Sequence, residues 1–323
     1  GGIAFIEHNA RMEIDRQGNI TGIGAGTGGG SSDYTEITCR DTASYKLSER
    51  EIQFEREVKI RRDGLLIESD TRKVVLRRDD DPLPENLSPD GEVPLPGQVK
   101  SIVATIGKRP GSVVITGFRA DEITGEEKPQ FTAKGGRADF DYDANRITLT
   151  DTREQRWPEV EFGPDRDRIT DGTLTFVFSQ VKQEPTNAPR PGSASENQGE
   201  TVLESLTTYG GRGEVVLRTA REDDRGPTIP TIVNYRGEMS YNRTEGRIRF
   251  QDSVNLRRAD LAIASAILDI RLASDGLPIE PSQVNRIIAE TDVEIRPGSY
   301  QAGAEPAEDD NHSGPTGPVG PGP

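Results

Sequence analysis

One spacing of apolar residues occurs twice in this chain without a gap, first after Tyr45 and again after Tyr241. Counted from each tyrosine, apolar side chains stand at offsets 7, 9, 13, 15, 20, 22, 29 and 31 in both segments. A middle copy follows Phe140, keeps Ile147 and Leu149 at offsets 7 and 9, and then contains an insertion of seven residues. Such self-similarity is typical of repeat architectures, in which one unit cannot bury its apolar face alone and packs on the next.

Within each copy, apolar residues alternate with charged or polar ones at a period of two. Ile52 and Phe54, for example, flank Gln53 and are themselves flanked by acids. This alternation predicts β-strands with one buried and one solvated face. Asp63 and Gly64 stand between two such runs and indicate a hairpin turn. We therefore expect an all-β protein built from repeated antiparallel strand units.

The apolar positions of the three copies predict one shared inner face. Whether these side chains line an open groove or fill a dry core is left open by the sequence, because both structures require the same apolar pattern. We assign to this inner face Ile52, Phe54, Val58, Ile60, Leu65, Ile67, Val74, Leu76, Ile147, Leu149, Phe176, Phe178, Ile248, Phe250, Val254, Leu256, Ile263, Ile270 and Leu272.

The segment Arg257–Leu272 is alanine-rich and would form a helix if intrinsic propensity alone decided its structure. Its counterpart in the first copy, Arg61–Leu76, contains a turn signal and β-branched residues, which favour strand, turn and strand. Because matched offsets imply one structure for both copies, we predict strands at Asp260–Ala264 and Ile267–Leu272.

The patterns divide the chain into six segments. Gly24, Gly26 and Gly29 form a G-x-G-x-x-G motif, which binds a dinucleotide only where it is followed by a helix. The residues that follow, Tyr34–Cys39, have the pattern of a strand, so we interpret the glycines as part of a loop. The signal or anchor sequence is expected to lie outside this sequence. The segments are the end of a preceding unit (1–17), a Gly-rich loop (18–33), three repeat units (34–117, 118–220 and 221–297) and a disordered Gly/Pro/acidic tail (298–323).

Charge and composition argue against several classes of function. The net charge is −15, without a dense Lys/Arg block, which disfavours nucleic acids and anionic membrane surfaces as partners. No apolar run is long enough to span a bilayer as a helix. The chain has only two histidines and one cysteine, Cys39, which are too few for a nucleophilic triad or a multi-histidine metal centre. The acidic run Asp79–Asp81 lacks the ligand spacing of an EF-hand calcium site. We expect no enzyme, no catalytic residue, no cofactor and no metal.

The repeated segments also resemble a known family. RDTASYKLSEREIQFEREVKIRRDGLLIESDTRKVVL, echoed by RGEMSYNRTEGRIRFQDSVNLRRADLAIASAILDIRL and GGRADFDYDANRITLTD, is similar to the OstA-like repeat of lipopolysaccharide-export proteins (LptA, LptC and the N-terminal domain of LptD). The chain departs from that pattern through insertions at Arg77–Gln98, Gln155–Arg166 and Val181–Glu200.

The resemblance implies an open β-jellyroll whose apolar groove carries acyl chains of lipopolysaccharide or another acyl lipid. It further implies strand addition to other OstA-like or Lpt subunits, and a place in outer-membrane assembly, in the periplasm of a Gram-negative bacterium. An alternative from the residues alone is a passive extracellular or cell-surface β-solenoid without cargo. A carbohydrate-active β-helix is a weaker alternative, since it needs a cleft with paired carboxylates that the sequence does not indicate.

Overall fold

Strands make up most of the chain that the computed structural model describes. Predictions that fall on residues 26–33, 77–97, 182–199 and 298–323, including the Asp79–Asp81 run and the tail, lie outside the described residues. The described part contains no helix of the length and apolarity needed to cross a membrane. The described residues are 3–7, 9–15, 18–25, 34–46, 49–62, 64–76, 98–106, 112–120, 127–151, 157–163, 166–181, 200–219, 229–258, 261–272 and 284–297.

Within these ranges the chain forms 23 β-strands. The all-β prediction is confirmed. The strands are β1 (Ile3–Glu7), β2 (Ala10–Ile14), β3 (Ile20–Ala25), β4 (Thr35–Thr38), β5 (Thr42–Lys46), β6 (Glu51–Arg62), β7 (Leu65–Leu76), β8 (Val99–Thr105), β9 (Val113–Ala120), β10 (Glu127–Gly135), β11 (Arg137–Asp141), β12 (Arg146–Thr150), β13 (Glu159–Phe162), β14 (Asp167–Thr170), β15 (Thr173–Val181), β16 (Glu200–Tyr209), β17 (Gly213–Thr219), β18 (Ile229–Tyr235), β19 (Glu238–Asn242), β20 (Arg247–Arg258), β21 (Leu261–Leu272), β22 (Val284–Glu290) and β23 (Glu294–Pro297).

The strand pairings form two layers that share four long strands. In the first layer the order is β1-β5-β6-β7-β8-β11-β12-β15-β16-β19-β20-β21-β22. In the second it is β3-β2-β4-β6-β7-β9-β10-β13-β14-β17-β18-β20-β21-β23. Each of these pairings is antiparallel, so successive copies are not stacked as the parallel coils of a β-helix.

The chain passes between the two layers along one long side of the protein, which we call the fold line. Neighbouring passages are hydrogen-bonded to one another: the Arg40 N–H donates to the Arg56 carbonyl at 3.1 Å, and the Arg236 N–H to the Asp252 carbonyl at 2.9 Å. The opposite side, the hairpin side, carries turns that connect strands of the same layer. Described passages on the fold line include 9, 39–41, 56–57, 69–70, 136, 171–172, 210–212, 236–237, 252–253, 265–266 and 291–293.

β-bulges let the long strands bend across the fold line. Arg56 and Glu57 have φ values of 61° and 47°, and Asp252 and Ser253 have values of 62° and 51°. At both places the register with the partner strand shifts, since two residues of the bulged strand stay unpaired. The bulges occupy offsets 11 and 12 of the first and third copies, so the two long hairpins cross between layers in the same way.

A left-handed turn residue also recurs at offset 5 of all three copies. A carbonyl in this position accepts the N–H of the residue that ends the apolar pattern of its copy, which joins the first turn of the copy to its last strand. The turn residues are Arg50, Asn145 and Gly246, with φ of 49°, 47° and 54°. Their partners are Leu76 at 2.9 Å, Phe178 at 3.2 Å and Leu272 at 2.8 Å.

The alanine-rich segment is a strand. The predicted strand structure is confirmed for residues 257–258 and 261–272, whereas its division into two short strands is wrong, because β21 runs without interruption from Leu261 to Leu272. Asp260, where the first of those strands was predicted to begin, lies outside the described residues. Its partners in both layers supply hydrogen bonds along its whole length, and this outweighs the helix propensity of its alanines. The bulge lies on β20, so β21 itself stays continuous.

The glycine-rich segment differs from the prediction as well. Ile20–Ala25 is not a loop but forms β3, whose hydrogen bonds satisfy the free edge of β2. Gly24 thus lies in a strand, and Gly26 and Gly29 lie outside the described residues. Ile20 packs against the core and gives this short strand an apolar anchor.

Side chains from both layers meet in one core. Phe131 on β10 of the second layer stacks on Phe176 of β15 in the first layer, with ring centroids 6.0 Å apart. Farther along, the Tyr235 ring lies 5.4 Å from that of Phe250. Tyr235 also covers Gly213 on the neighbouring strand, where an added Cβ would stand 1.9 Å from the ring carbon Cζ. The glycine therefore makes room for the aromatic ring.

Candidate functional site

The predicted inner-face residues lie together between the two layers. Of the nineteen, all but Ile263 are buried, with Leu272 the most accessible at 9%. Ile263 is partly buried and packs against the same cluster. The structure thus brings the side chains of all three copies into one continuous apolar interior.

This interior is filled by protein side chains in the structure. Phe54 and Val58 have no exposed surface, and neither do Val74, Ile147 and Leu149. Water therefore does not reach them, and the two layers are in contact through their side chains. Of the two possibilities that the sequence left open, the structure has the packed core rather than an open groove.

Among the inner residues that are buried, residual exposure is largest toward the hairpin side. Leu65 is 8% exposed and Leu272 9%, and each stands at a strand end remote from the fold line. Residues next to the fold line, such as Phe54 and Val58, are fully covered. The hairpin side is therefore the less tightly closed side of the interior.

The interior continues to an end that no further strand covers among the described residues. Ile287 on β22 is 42% exposed and Ile295 on β23 is 65% exposed. Their cross-strand partners on β21 are Ile270 and Ile263, which belong to the inner face. β22 and β23 each pair with β21 alone in the described part of the chain, so apolar side chains and two strand edges are presented together.

A charged side chain lies inside this apolar interior. Arg72 is fully buried and is the largest fully buried side chain that the structure describes. Its Nε donates to Ser69 Oγ at 3.0 Å, and its Nη2 donates to the carbonyls of Val58 at 3.3 Å and of Ile67. Nη1 is buried and has no hydrogen-bond partner among the described residues.

Arg72 stands where the other copies carry leucine. It occupies offset 27 and faces Phe54, just as Leu268 faces Phe250 in the third copy and Leu174 faces Leu149 in the middle one. Burial lowers the pKa of Arg72 to about 9, with Glu68 opposing that effect. The guanidinium therefore keeps its charge at neutral pH.

A second buried polar group at the fold line is fully satisfied. Asp171 Oδ2 accepts a hydrogen bond from Thr208 Oγ1 at 2.8 Å, and Oδ1 accepts the Gly172 N–H at 2.6 Å. Thr208 also contacts the Tyr235 hydroxyl. Burial raises the pKa of Tyr235 above its ordinary value, so the phenol stays neutral at physiological pH. This network ties β14, β16 and β18 together at the fold line.

The outer face carries ion pairs at matched positions of the two long hairpins. Arg247 holds Asp269 through two hydrogen bonds of 3.1 and 2.6 Å, and in the first copy Glu51 pairs with Lys73. The signs are reversed between the copies while the positions are kept. In the described part of the chain, no three His, Cys, Asp or Glu side chains converge where a metal could bind.

Arg72, Asp171 and Thr208 were not predicted from the sequence. The offset comparison contained a signal for Arg72, because offset 27 is a charged residue in the first copy and a leucine in the other two. The other two residues gave no such signal. Polar residues near a turn are normally solvated, and only the closing of the two layers buries these.

Comparisons with known proteins add no family assignment. A scan against protein-family models gives no match, and a search of curated proteins gives none either. The resemblance to the OstA-like repeat therefore stays a prediction that rests on the residue pattern of the three copies.

Proposed function

We propose that this chain is a non-enzymatic carrier of acyl lipids, lipopolysaccharide among them, which bridges to other OstA-like subunits in the periplasm of a Gram-negative bacterium. The observation that carries the proposal is the continuous apolar interior between two layers that are folded together along one side. In the proposal these layers are the two walls of an open β-jellyroll. The resemblance of the three copies to the OstA-like repeat supports the same function.

An acyl chain enters from the hairpin side as the two layers move apart there. The fold line keeps the layers joined through its hydrogen-bonded passages, and the hydrocarbon replaces contacts between inner side chains. Burial of each methylene contributes about 0.8 kcal/mol, so a long acyl chain offsets the loss of these contacts. Because the attraction is non-directional, the chain slides from one copy to the next.

We expect an acyl lipid to crosslink to inner positions and not to outer ones. Leu272 and Arg271 are adjacent on β21 and point to opposite faces, and Leu272 belongs to the inner set. A photoreactive amino acid at position 272 should label lipopolysaccharide or a phospholipid at least several-fold more strongly than the same amino acid at 271. Mass spectrometry of the irradiated adduct measures the ratio.

Equal labelling at 271 and 272 would contradict a lipid site between the layers. A second internal position, Phe250, and its outward neighbour Arg249 repeat the comparison on β20. Both pairs of variants keep the strand and change only the face, so loss of folding at one position does not remove the test.

The exposed end is the proposed site of strand addition. Unpaired strand edges with apolar neighbours recruit a further strand through main-chain hydrogen bonds. The partner tested first is a second copy of this chain. Changing Ile287 and Ile295 together to glutamate should weaken association with this partner by tenfold or more. Both side chains are already exposed, so the melting temperature should change little, and sedimentation velocity measures the association. Association that survives the double change would place the contact elsewhere.

A second candidate is a passive structural protein without cargo. The filled interior favours it, because side chains that exclude water also exclude ligand unless the layers separate. This candidate predicts that lipid extraction of the purified protein yields no acyl species at stoichiometric amounts and that position 272 gives no crosslink. Lipid mass spectrometry on the extract therefore discriminates between the two candidates.

A further inference from the structure

Arg72 is a cation inside an apolar interior without an anion to balance it. Among the described residues it forms no ion pair, and the one acid that influences its pKa, Glu68, pairs instead with Lys59 at 3.0 Å. The Nη1 atom is buried and lacks a hydrogen-bond acceptor. Burial of a charge is costly unless the charge is paired and hydrogen-bonded. The free protein therefore contains a buried positive charge that no anion neutralises, and an anionic ligand at this position would be stabilised.

The fold itself does not need this arginine. At the corresponding place in the third copy, Leu268 is fully buried, Phe250 faces it, and an alanine, Ala289, lies on its other side. The first copy has the same frame, with Phe54 and Ala104 on either side of Arg72. The serine at offset 24 is also shared, since Ser69 and Ser265 each donate to the carbonyl two residues ahead. The arginine is thus an addition to a frame that closes around leucine elsewhere.

We propose that Arg72 binds the anionic headgroup of an acyl ligand, a carboxylate or phosphate oxygen, inside the interior at the fold line of the first copy. The site rests on the proposed acyl-carrier function, which it narrows to acidic lipids. Nη1 donates to the anionic oxygen, while Nε and Nη2 keep their bonds to Ser69, Val58 and Ile67 and hold the guanidinium in place. The hydrocarbon then lies against the apolar side chains that follow along the interior.

Selectivity at this site is local. The chain has a net charge of −15, so its surface as a whole repels anions. A preference for an anionic over a neutral ligand of equal chain length therefore requires a positively charged group close to the bound headgroup. Arg72 is the group that the structure places in the interior, and a charge-assisted hydrogen bond in a site of low dielectric is among the strongest available.

The experiment compares decanoate, decanol and inorganic phosphate as ligands of the full chain by isothermal titration calorimetry and thermal shift. Wild-type protein should bind decanoate roughly tenfold or more tightly than decanol, since a hydrogen bond to a charged group is worth that ratio. Arg72→Leu, which copies the third repeat, and the neutral Arg72→Gln should reduce the ratio to about twofold or less. Arg72→Lys should keep a preference for decanoate. Lys73→Gln removes a neighbouring cation on the outer face and should leave the ratio unchanged.

The outcomes separate this site from the carrier function. Equal binding of decanoate and decanol by wild type overturns the Arg72 site and leaves the carrier intact, as does a preference that persists in Arg72→Leu or Arg72→Gln. A third outcome is that phosphate stabilises the wild-type protein but not the leucine and glutamine variants, and that neither decyl ligand binds. This outcome supports a site for a free anion and overturns the carrier. A failure of all three ligands overturns both. If Arg72→Leu does not fold, the glutamine and lysine variants provide the same comparison.

Discussion

Replacing Phe250 with alanine is expected to lower the free energy of unfolding by about 3–5 kcal/mol. The side chain is 1% exposed, lies at the bend of β20 and packs against the Tyr235 ring at 5.4 Å between centroids. Truncation removes a large apolar surface from both layers at once and leaves a cavity, because neighbouring strands are held in register by their hydrogen bonds and cannot collapse into it. Chemical denaturation followed by circular dichroism measures the loss.

Arg249 provides the matched control for this change. It is adjacent on β20 and points to the outer face, where it lies 3.9 Å from Asp269, a carboxylate that Arg247 holds more closely. Arg249→Ala should therefore alter the free energy of unfolding by about 0.5 kcal/mol or less. The cavity has a second consequence: Phe250→Ala should regain part of its stability in the presence of decanol, since apolar cavities bind apolar ligands. A cost below 1 kcal/mol for Phe250→Ala would mean that the two layers are not tightly packed here.

Gly213→Ala is expected to be nearly as damaging although it adds only one methyl group. A Cβ at this position would stand 1.9 Å from Cζ of Tyr235, a ring that is itself buried at 2% exposure. Displacing the ring costs about 1–3 kcal/mol as overpacking. It also breaks the hydrogen-bonded contact between Tyr235 and Thr208, which leaves a buried hydroxyl unsatisfied at a further cost of about 1 kcal/mol or more. Thermal unfolding of the single variant measures the sum.

A double-mutant cycle tests whether the ring is the cause. With Tyr235→Ala in place, the added methyl group meets no ring, so Gly213→Ala should cost little in that background. Gly210→Ala is a control with a different mechanism, because this glycine has φ of 89° and nothing within 4 Å of the added carbon. Its cost, about 1–2 kcal/mol from the left-handed backbone alone, should be the same with and without Tyr235. Additive costs for Gly213→Ala and Tyr235→Ala would contradict the steric explanation.

The three copies show how far spacing alone can predict structure. Alternation at a period of two depends only on which face of a strand is buried, so the inner residues that were predicted on β6, β7, β20 and β21 followed directly from it, although Leu268 was missed. The comparison of offsets also predicted a strand at β21 in spite of its helix propensity, because the copies of a repeat pack on one another with the same geometry. Propensity differences of a few tenths of a kcal/mol per residue do not compete with pairing to partners on both layers.

Other features depended on contacts that spacing does not encode. β3 forms from glycine-rich sequence because β2 presents a free edge, and no local signal in residues 20–25 reports that edge. β13 lies inside an insertion, and its partners β10 and β14 decide that it is a strand. β3 pairs with the strand that precedes it, whereas β13 also pairs with β10, which is distant in sequence, so β13 forms only once the second layer is assembled.

By itself, the sequence determined the strand class, the period of the copies and the nineteen inner apolar residues assigned from them, since these follow from local alternation and from equal spacing. Only the tertiary structure decided that the strands fold into two layers along one hydrogen-bonded line, that the interior is filled, and that Arg72 lies within it. A residue pattern indicates which face of a strand is apolar. Whether a charge is buried and whether the core is filled depend on the side chains of the opposite layer that pack against the same position.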